Sequence, residues 1–461
     1  MIRILVGFGL VTCLAFGQGT GRMTGSVVDT SGGAVPKAKV SVTLHEGKSA
    51  LIETQTGSEG LFTVDSLRPV YYDVTVEATG FATAKLDNVK IDPSRSTDLP
   101  PIRLQVAAAS AAVDVTAALE TVQSASTEVS VTITADQIHK LPVGDRNPLA
   151  FIATQAGVAG AQAETAINGQ RSSFTNVTLD GINIQDNFIR TNGLDFQPNM
   201  LLLDQVAEVN VGISNNNLSQ GGGAAQINFV TPSGSNQYHG ALLWTNRNNA
   251  LAANSWFSNR DGIANPFLNQ NQFGGSLGGY VVKDKLFFYA NYEGLRRRQQ
   301  TAANRTILSA DARNGIYTYL VNGQPRKANV LQLAGLTADP ATKALIDAVP
   351  GADKINNFRT GDSTEAVLRN TAGYAFNVRN NRTRDNITGK VDYYLNNKNN
   401  FSGTFTWNRD ILDRPDLAND FVLVPKVANN SAPKLLSLTW RWTPTPTTTN
   451  EIGRASCRER V

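Results

Sequence analysis

The residues of this 461-residue chain that could do chemistry are three histidines, two cysteines and a scatter of serines and carboxylates. His45, His139 and His239 are the histidines, and no two stand at the spacing that puts metal ligands on one helix face. No G-x-S-x-G elbow surrounds any serine, so a Ser-His-Asp triad has no local signature. The run Gly221-Gly222-Gly223 lacks the lysine and hydroxyl residue of a phosphate loop. It suits a loop or bulge where backbone passes close to another wall. Cys13 lies in an apolar N-terminal segment and Cys457 near the C-terminus, which leaves no usable pair for a disulfide. The sequence therefore predicts neither an enzyme nor a metal or cofactor protein.

Composition points elsewhere. Hydrophobic residues make up 41% and charged residues only 17%, with glycine, asparagine, threonine and serine filling the gap. That mixture suits many short strands joined by turns. The net charge is +4, and the one basic run, Arg296-Arg297-Arg298, ends a strand-like segment; no nucleic-acid partner is expected. At the N-terminus, Arg3 precedes the apolar stretch Ile4–Phe16, and small residues at 15 and 17 fit signal-peptidase cleavage after Gly17. A lipoprotein signal at Cys13 is the weaker reading, because Thr12 suits it poorly. The mature chain is expected to be exported.

Residues 20–105 alternate with a period of two. Met23–Asp29 leads into a Ser31-Gly32-Gly33 turn, Val40, Val42 and Leu44 alternate with polar neighbours, and Gly60–Val64 and Tyr72–Ala78 follow. The order GSVVDTSGGAVPKAKVSV, then TGSEGLFTVDSLRPVYYDVTVEATGF, resembles the carboxypeptidase regulatory-like domain. That resemblance implies a transthyretin-like β-sandwich, related in shape to carbohydrate-binding modules and without peptidase activity. Tyr71, Tyr72 and Phe81 are the obvious candidates for a sugar-stacking platform.

Residues 106–118 read as an alanine-rich linker. Within it Val113, Asp114, Val115, Thr116 and Ala117 resemble a TonB box, a segment that a periplasmic partner captures as an added strand. The ordinary reading is a linker with β-branched residues.

In residues 119–236, Thr134–Leu141 and Asn147–Gln155 are predicted as short helices separated by Pro142-Val143-Gly144, with Thr134 or Asp136 as first cap. Asp180-Gly181 between Asn176–Leu179 and Ile182–Gln185 is the strongest local hairpin signal, since both central positions favour positive φ. Glu208–Ile213 and Ala225–Thr231 read as further strands. The segments LPVGDRNP, NGQRSSFTNVTLDGINI, VAEVNVG and GGGAAQINFVTPSGSNQYHG resemble the plug of TonB-dependent outer-membrane receptors, especially the Oar-like branch. Asn168, Gly169, Gln170 and Arg171 match the plug motif, and with Asp180 and Gly181 they are expected to serve plug packing rather than ligand contact.

From residue 237 to 450 the strands lengthen and alternate strictly. Phe401, Gly403, Phe405 and Trp407 alternate with Ser402, Thr404, Thr406 and Asn408; Leu436, Leu438, Trp440 and Trp442 do so with Ser437, Thr439, Arg441 and Thr443. Ile387–Tyr393 and Leu286–Glu293 repeat the pattern. One apolar and one polar face suits a transmembrane β-barrel, with Tyr393, Trp407 and Trp442 at the membrane interfaces. A large soluble sandwich would also alternate. Short turns at Val282–Lys285 and Asn396–Asn400, against a long polar insertion at Gln299–Arg384, favour the membrane. About six strands, near Gly240, Phe273, Phe288, Val391, Phe405 and Leu438, cannot close a barrel of the roughly 22 strands that plugged transporters use. Residues 451–461, EIGRASCRERV, break the pattern, and their codons match a common sequencing adapter, so they are expected to be foreign to a truncated natural chain.

The fold expected is thus mainly β: an N-terminal transthyretin-like β-sandwich, an α+β plug domain, then the first strands of an incomplete transmembrane β-barrel. The resemblance implies an outer-membrane receptor that takes up an unidentified ligand, a glycan or a peptide being the classes open, with a TonB-type periplasmic partner, outer-membrane lipid around it and no cofactor. An outer-membrane adhesion or secretion-associated protein, and a soluble carbohydrate-binding β-sandwich protein, are the alternatives.

Overall fold

The computed structural model describes residues 20–93, 96–106, 113–114, 129–140, 146–160, 165–171, 174–185, 201–214, 225–417, 420–445 and 448–458. The signal-peptide segment, Val115–Ala117, Pro142–Gly144 and the Gly221–Gly223 run lie outside these residues.

Residues 21–104 form two packed sheets. Strands β1 (Gly21–Asp29), β4 (Leu61–Leu67), β7 (Ser96–Asp98) and β8 (Ile102–Leu104) make one; β2 (Lys39–Leu44), β3 (Ala50–Gln55), β5 (Tyr71–Glu77) and β6 (Ala84–Lys90) make the other. The period-two pattern sets the burial: Val40, Val42 and Leu44 are inside, Lys39 outside. Met23, Val27, Phe62, Val64, Tyr72, Val74 and Val76 complete the core between the layers. Strands β3, β6, β7 and β8 escaped the sequence reading; β6 (AKLDNVK) carries a bulge that breaks its alternation. A two-residue strand β9 (Val113–Asp114) pairs in parallel with β6.

The inner domain, residues 129–231, has a five-stranded sheet in the order β10 (Val129–Thr134), β16 (Glu208–Ser214), β17 (Ala225–Val230), β14 (Thr175–Leu179), β15 (Ile182–Asn183). Every residue of the central β17 is buried, as expected of a strand covered on both faces. Ala135–Lys140 is an α-helix, and Pro148–Thr154 is a 3₁₀-helix capped by the Asn147 side chain on the Leu149 N–H. A small sheet of β11 (Val158–Ala159), β12 (Ala166–Ile167) and β13 (Gln170–Arg171) sits beside it. Both predicted turn residues take left-handed backbone, Asp180 at φ 49° and Gly181 at φ 83°. Asn168 and Gly169 repeat the device at φ 49° and 76°, turning β12 into β13.

The third unit is a large antiparallel sheet, the wall. Its main path runs β18 (His239–Asn248), β19 (Leu268–Val282), β20 (Leu286–Leu308), β25 (Arg382–Asn396), β26 (Asn399–Asp413), β28 (Lys434–Thr445), β29 (Thr448–Arg458). Its edges, β18 and β29, do not pair with each other, so the sheet is open. All six expected strands lie on this path, and residues 448–458 add a seventh by pairing with β28 through Arg458. The polar insertion is also largely folded: β20 continues to Leu308 and pairs with β24 (Thr371–Arg379), and β24 pairs with β23 (Asn357–Gly361). Between them lies a separate hairpin, β21 (Ile316–Val321) and β22 (Gln324–Asn329). Polar residues at Gln299–Asn304 hid the strand because ladder hydrogen bonds need no apolar face. A short β27 (Ala428–Ser431) pairs with β26.

Candidate functional site

The wall is inverted relative to a soluble sheet. Asn386, Thr388, Lys390 and Asp392 on β25 are buried, whereas Ile387, Val391, Tyr393 and Leu395 between them are exposed, Val391 to 50%. The register carries this across the sheet: Ile387 stands opposite Tyr292 and Trp407, and Tyr393 opposite Leu286 and Phe401. Water would select the opposite pattern; lipid outside and a polar filling inside select this one. From Ile387 to Leu395 the strand rises about 26 Å, or about 20 Å of height at the usual barrel tilt, close to the apolar band of an outer membrane.

Both edges of that band are marked. Trp244, Phe273, Tyr292 and Trp407 lie along one, with Asn246, Asn271, the Arg296–Asp385 ion pair and Arg409 just beyond. Tyr393, Phe401, Trp440 and Trp442 lie along the other, beside short turns. These are the aromatic girdles that interfaces favour. The turns after Val282 and Asn396 are at one end; the connections at 249–267, 309–370 and 414–433 are at the opposite end.

The buried polar face holds the inner domain. The Asp180-Gly181 turn is seated on it: Asp180 accepts from Lys390 Nζ at 3.3 Å, from Thr404 Oγ1 at 2.9 Å and from the Thr231 N–H at 3.0 Å. Lys390 also donates to the Thr231 carbonyl at 3.0 Å. A second seat joins Arg146 to Asp204 (2.9 Å) within the domain and to Glu293 on the wall (3.1 Å), with Gln272 donating to Glu293. Tyr289 donates to the Asp204 carbonyl and Gln205 to Thr388, both at 2.6 Å. Leu435 on the wall joins the inner domain's own apolar core. Gly234, on the connector into β18, passes so close that a Cβ there would stand 2.1 Å from the Gly279 carbonyl oxygen.

The sandwich sits at the short-turn end. Arg68 pairs with Asp392 at 2.7 Å, donates to Ser233 Oγ at 3.0 Å and to Tyr394 OH, and lies over the Tyr394 ring. Burial alone would lower the Arg68 pKa, but Asp392 and Tyr394 outweigh it and hold it above its usual value. Lys90 bridges Glu208 of the inner domain at 2.7 Å. Burial pushes the Glu208 carboxyl up to about 7, against the partly offsetting attraction of Lys90. Between sandwich, inner domain and wall lies a cavity of about 940 Å³, lined by Arg68, Lys90, Asp180, Glu208, Lys390 and Asp392.

The residues singled out from sequence do not converge. Asp180 and Gly181 reach the wall. Asn168 instead ties its hairpin to the inner sheet, donating to the Ile213 carbonyl at 2.7 Å, while Gln170 and Arg171 point into solvent. Val113 and Asp114 lie on the sandwich edge. Of the three sugar-platform candidates only Tyr71 is exposed; Tyr72 is core and Phe81 is half-buried. Arg68, Arg146, Asp204, Glu293, Lys390 and Asp392 escaped notice. For the wall residues the signal was available, since charges in the polar register of an alternating strand must face something.

Comparison with known proteins bears on this geometry. Residues 230–458 match the family described as outer membrane beta barrel domain, and residues 22–105 match the carboxypeptidase regulatory-like domain. The TonB-dependent transporter Oar of Myxococcus xanthus is 25% identical over 326 residues, which cover 67% of this chain and 30% of that protein. This chain therefore spans under a third of the curated relative it matches. Among solved structures, the outer membrane transporter YddB from Escherichia coli is similar at a TM-score of 0.45 and 13% identity, covering 71% of this chain and 38% of that one. The siderophore receptor PirA from Acinetobacter baumannii is similar at a TM-score of 0.43 and 15% identity, covering 72% and 40%.

Proposed function

We propose that this chain, a homologue of the TonB-dependent transporter Oar with an outer membrane beta barrel domain behind a carboxypeptidase regulatory-like domain, acts in energised uptake across the outer membrane. The inverted wall carries the reading: a polar face buried against a folded inner domain, and an apolar face left bare. On this reading the inner domain is a plug. A ligand is taken at the long-connection end, and the path past the plug opens when a TonB-type periplasmic partner captures Val113–Ala117 and pulls. Energy comes from the inner membrane through that partner. The seats at Asp180 and Arg146 suit the task, because they hold the plug by ion pairs and hydrogen bonds that water can replace, with Leu435 the one wall residue in its apolar core among the described residues.

The test needs no ligand. The protein extracted from outer membranes in mild detergent is incubated with the purified periplasmic domain of the host's TonB-type protein. Binding is expected for the native chain and lost on deletion of Val113–Ala117. Equal binding by both would remove the capture segment from the mechanism, and binding by neither would sink the energised reading.

A further inference from the structure

We propose that the β-sandwich is a releasable cap on the inner mouth of the lumen, latched by the ion pair between Arg68 and Asp392. The latch joins all three parts of the chain. Arg68 leaves the sandwich at the end of β4, Ser233 belongs to the connector between plug and wall, and Asp392 and Tyr394 project from β25. Ser233 donates to Asp392, and Ser402 of β26 donates to its other oxygen at 2.8 Å, so the carboxylate is held from three sides. Phe287 and Tyr394 of the wall are continuous with the sandwich core, and Arg68 lies over both rings.

Around this buried centre the seam is polar. Glu46 meets Gln237, the Lys48 N–H reaches Asp284 in the turn after Val282, Asn236 donates to the same Asp284, and Lys90 meets Glu208. A seam held by two ion pairs, Arg68–Asp392 and Lys90–Glu208, and by hydrogen bonds, with only a small aromatic patch at Phe287 and Tyr394, suits a joint that opens. The charged groups are re-solvated on separation and only the Phe287–Tyr394 patch is bared, whereas a wholly apolar seam would leave far more sticky surface exposed. The position matters too: the sandwich lies across the end at which a solute leaving the lumen must emerge. Opening therefore requires the sandwich to move as well as the plug. That last step rests on the energised-uptake reading; the latch itself does not.

The experiment uses the full protein in detergent with Cys13 and Cys457 changed to Ser. Cysteines at Glu46 and Gln237 report docking through a short bis-maleimide. Rapid cross-linking is expected in the otherwise native chain. Arg68→Met leaves Asp392 buried without its partner and should weaken docking on the order of 100-fold or more, so that cross-linking falls to the rate of two undocked domains. Asp392→Asn, isosteric and therefore gentle on folding, should do the same. Lys39→Met, at an exposed ion pair with Glu53 on the same sandwich, should change nothing. Cross-linking at the native rate in both latch variants overturns the proposal, as does absence of cross-linking in the parent. In living cells the cross-link should form faster after an uncoupler dissipates the proton gradient. Equal rates with and without uncoupler would refute release while leaving partner binding, and so the uptake reading, to stand on its own test.

Discussion

Replacing Asp180 by alanine removes one acceptor from three places at once. Lys390, 8% exposed at its side chain, loses its counter-ion; Thr404 Oγ1 and the Thr231 N–H lose their partner. Stripping one member from a buried ion pair costs about 3–5 kcal/mol. Lys390 keeps the Thr231 carbonyl, which holds the figure near the lower end. Alanine must also adopt φ near 49°, a left-handed conformation that costs a residue with a plain Cβ about 1 kcal/mol. The sum is about 4 kcal/mol of local stability, or about a thousandfold in the opening equilibrium. Asparagine tolerates the backbone and keeps two of the hydrogen bonds, so Asp180→Asn should lose about half as much. Hydrogen–deuterium exchange across β14, β17 and the turn reads this directly, up to the ceiling of global unfolding. Adding Lys390→Met to Asp180→Ala removes both charges and should recover most of the loss, because an apolar pair can replace a buried ion pair at little cost. Exchange in Asp180→Ala within about threefold of native would refute the idea that this turn anchors the plug. No recovery in the double variant would refute the electrostatic account of it.

Three further outcomes follow from the geometry. Glu208 has a folded pKa of about 7 against an ordinary 4.5, so its contribution is fully present below pH 4.5 and is lost as pH rises through 7. The difference amounts to about 3 kcal/mol; the urea midpoint should fall across that window in the native protein and stay flat in Glu208→Gln, and parallel curves would refute the assignment. Val391→Arg places a charge in mid-band on the bare face and should cost about 2–4 kcal/mol, measured by urea-dependent folding into lipid vesicles. A neutral result would mean that this face does not meet lipid. Gly234→Ala forces a Cβ into the backbone of β19 and β20 and should cost about 1–3 kcal/mol or more, seen as faster proteolysis of the connector.

Local pattern alone determined much of this protein. Period-two alternation in β25, β26 and β28 stated which residues share a face, and the Asp180-Gly181 pair stated its own backbone, because turn conformation is settled within four residues. The order of sandwich, inner domain and wall was legible from the same shifts in pattern. That the apolar face of these strands turns outward and the polar face inward was expected from the same pattern with its short turns and long polar insertion; which residues fill the polar side was not, since alternation names a polar face but not its partner. The polar joints were hidden for a related reason. Arg68 and Tyr394 are separated by 326 positions, Arg146 and Glu293 by 147. A charged residue advertises that it needs a partner, but no local period names a partner that distant. Only the folded chain, by curving the wall around the inner domain and setting the sandwich across its end, brought those charges within reach of each other.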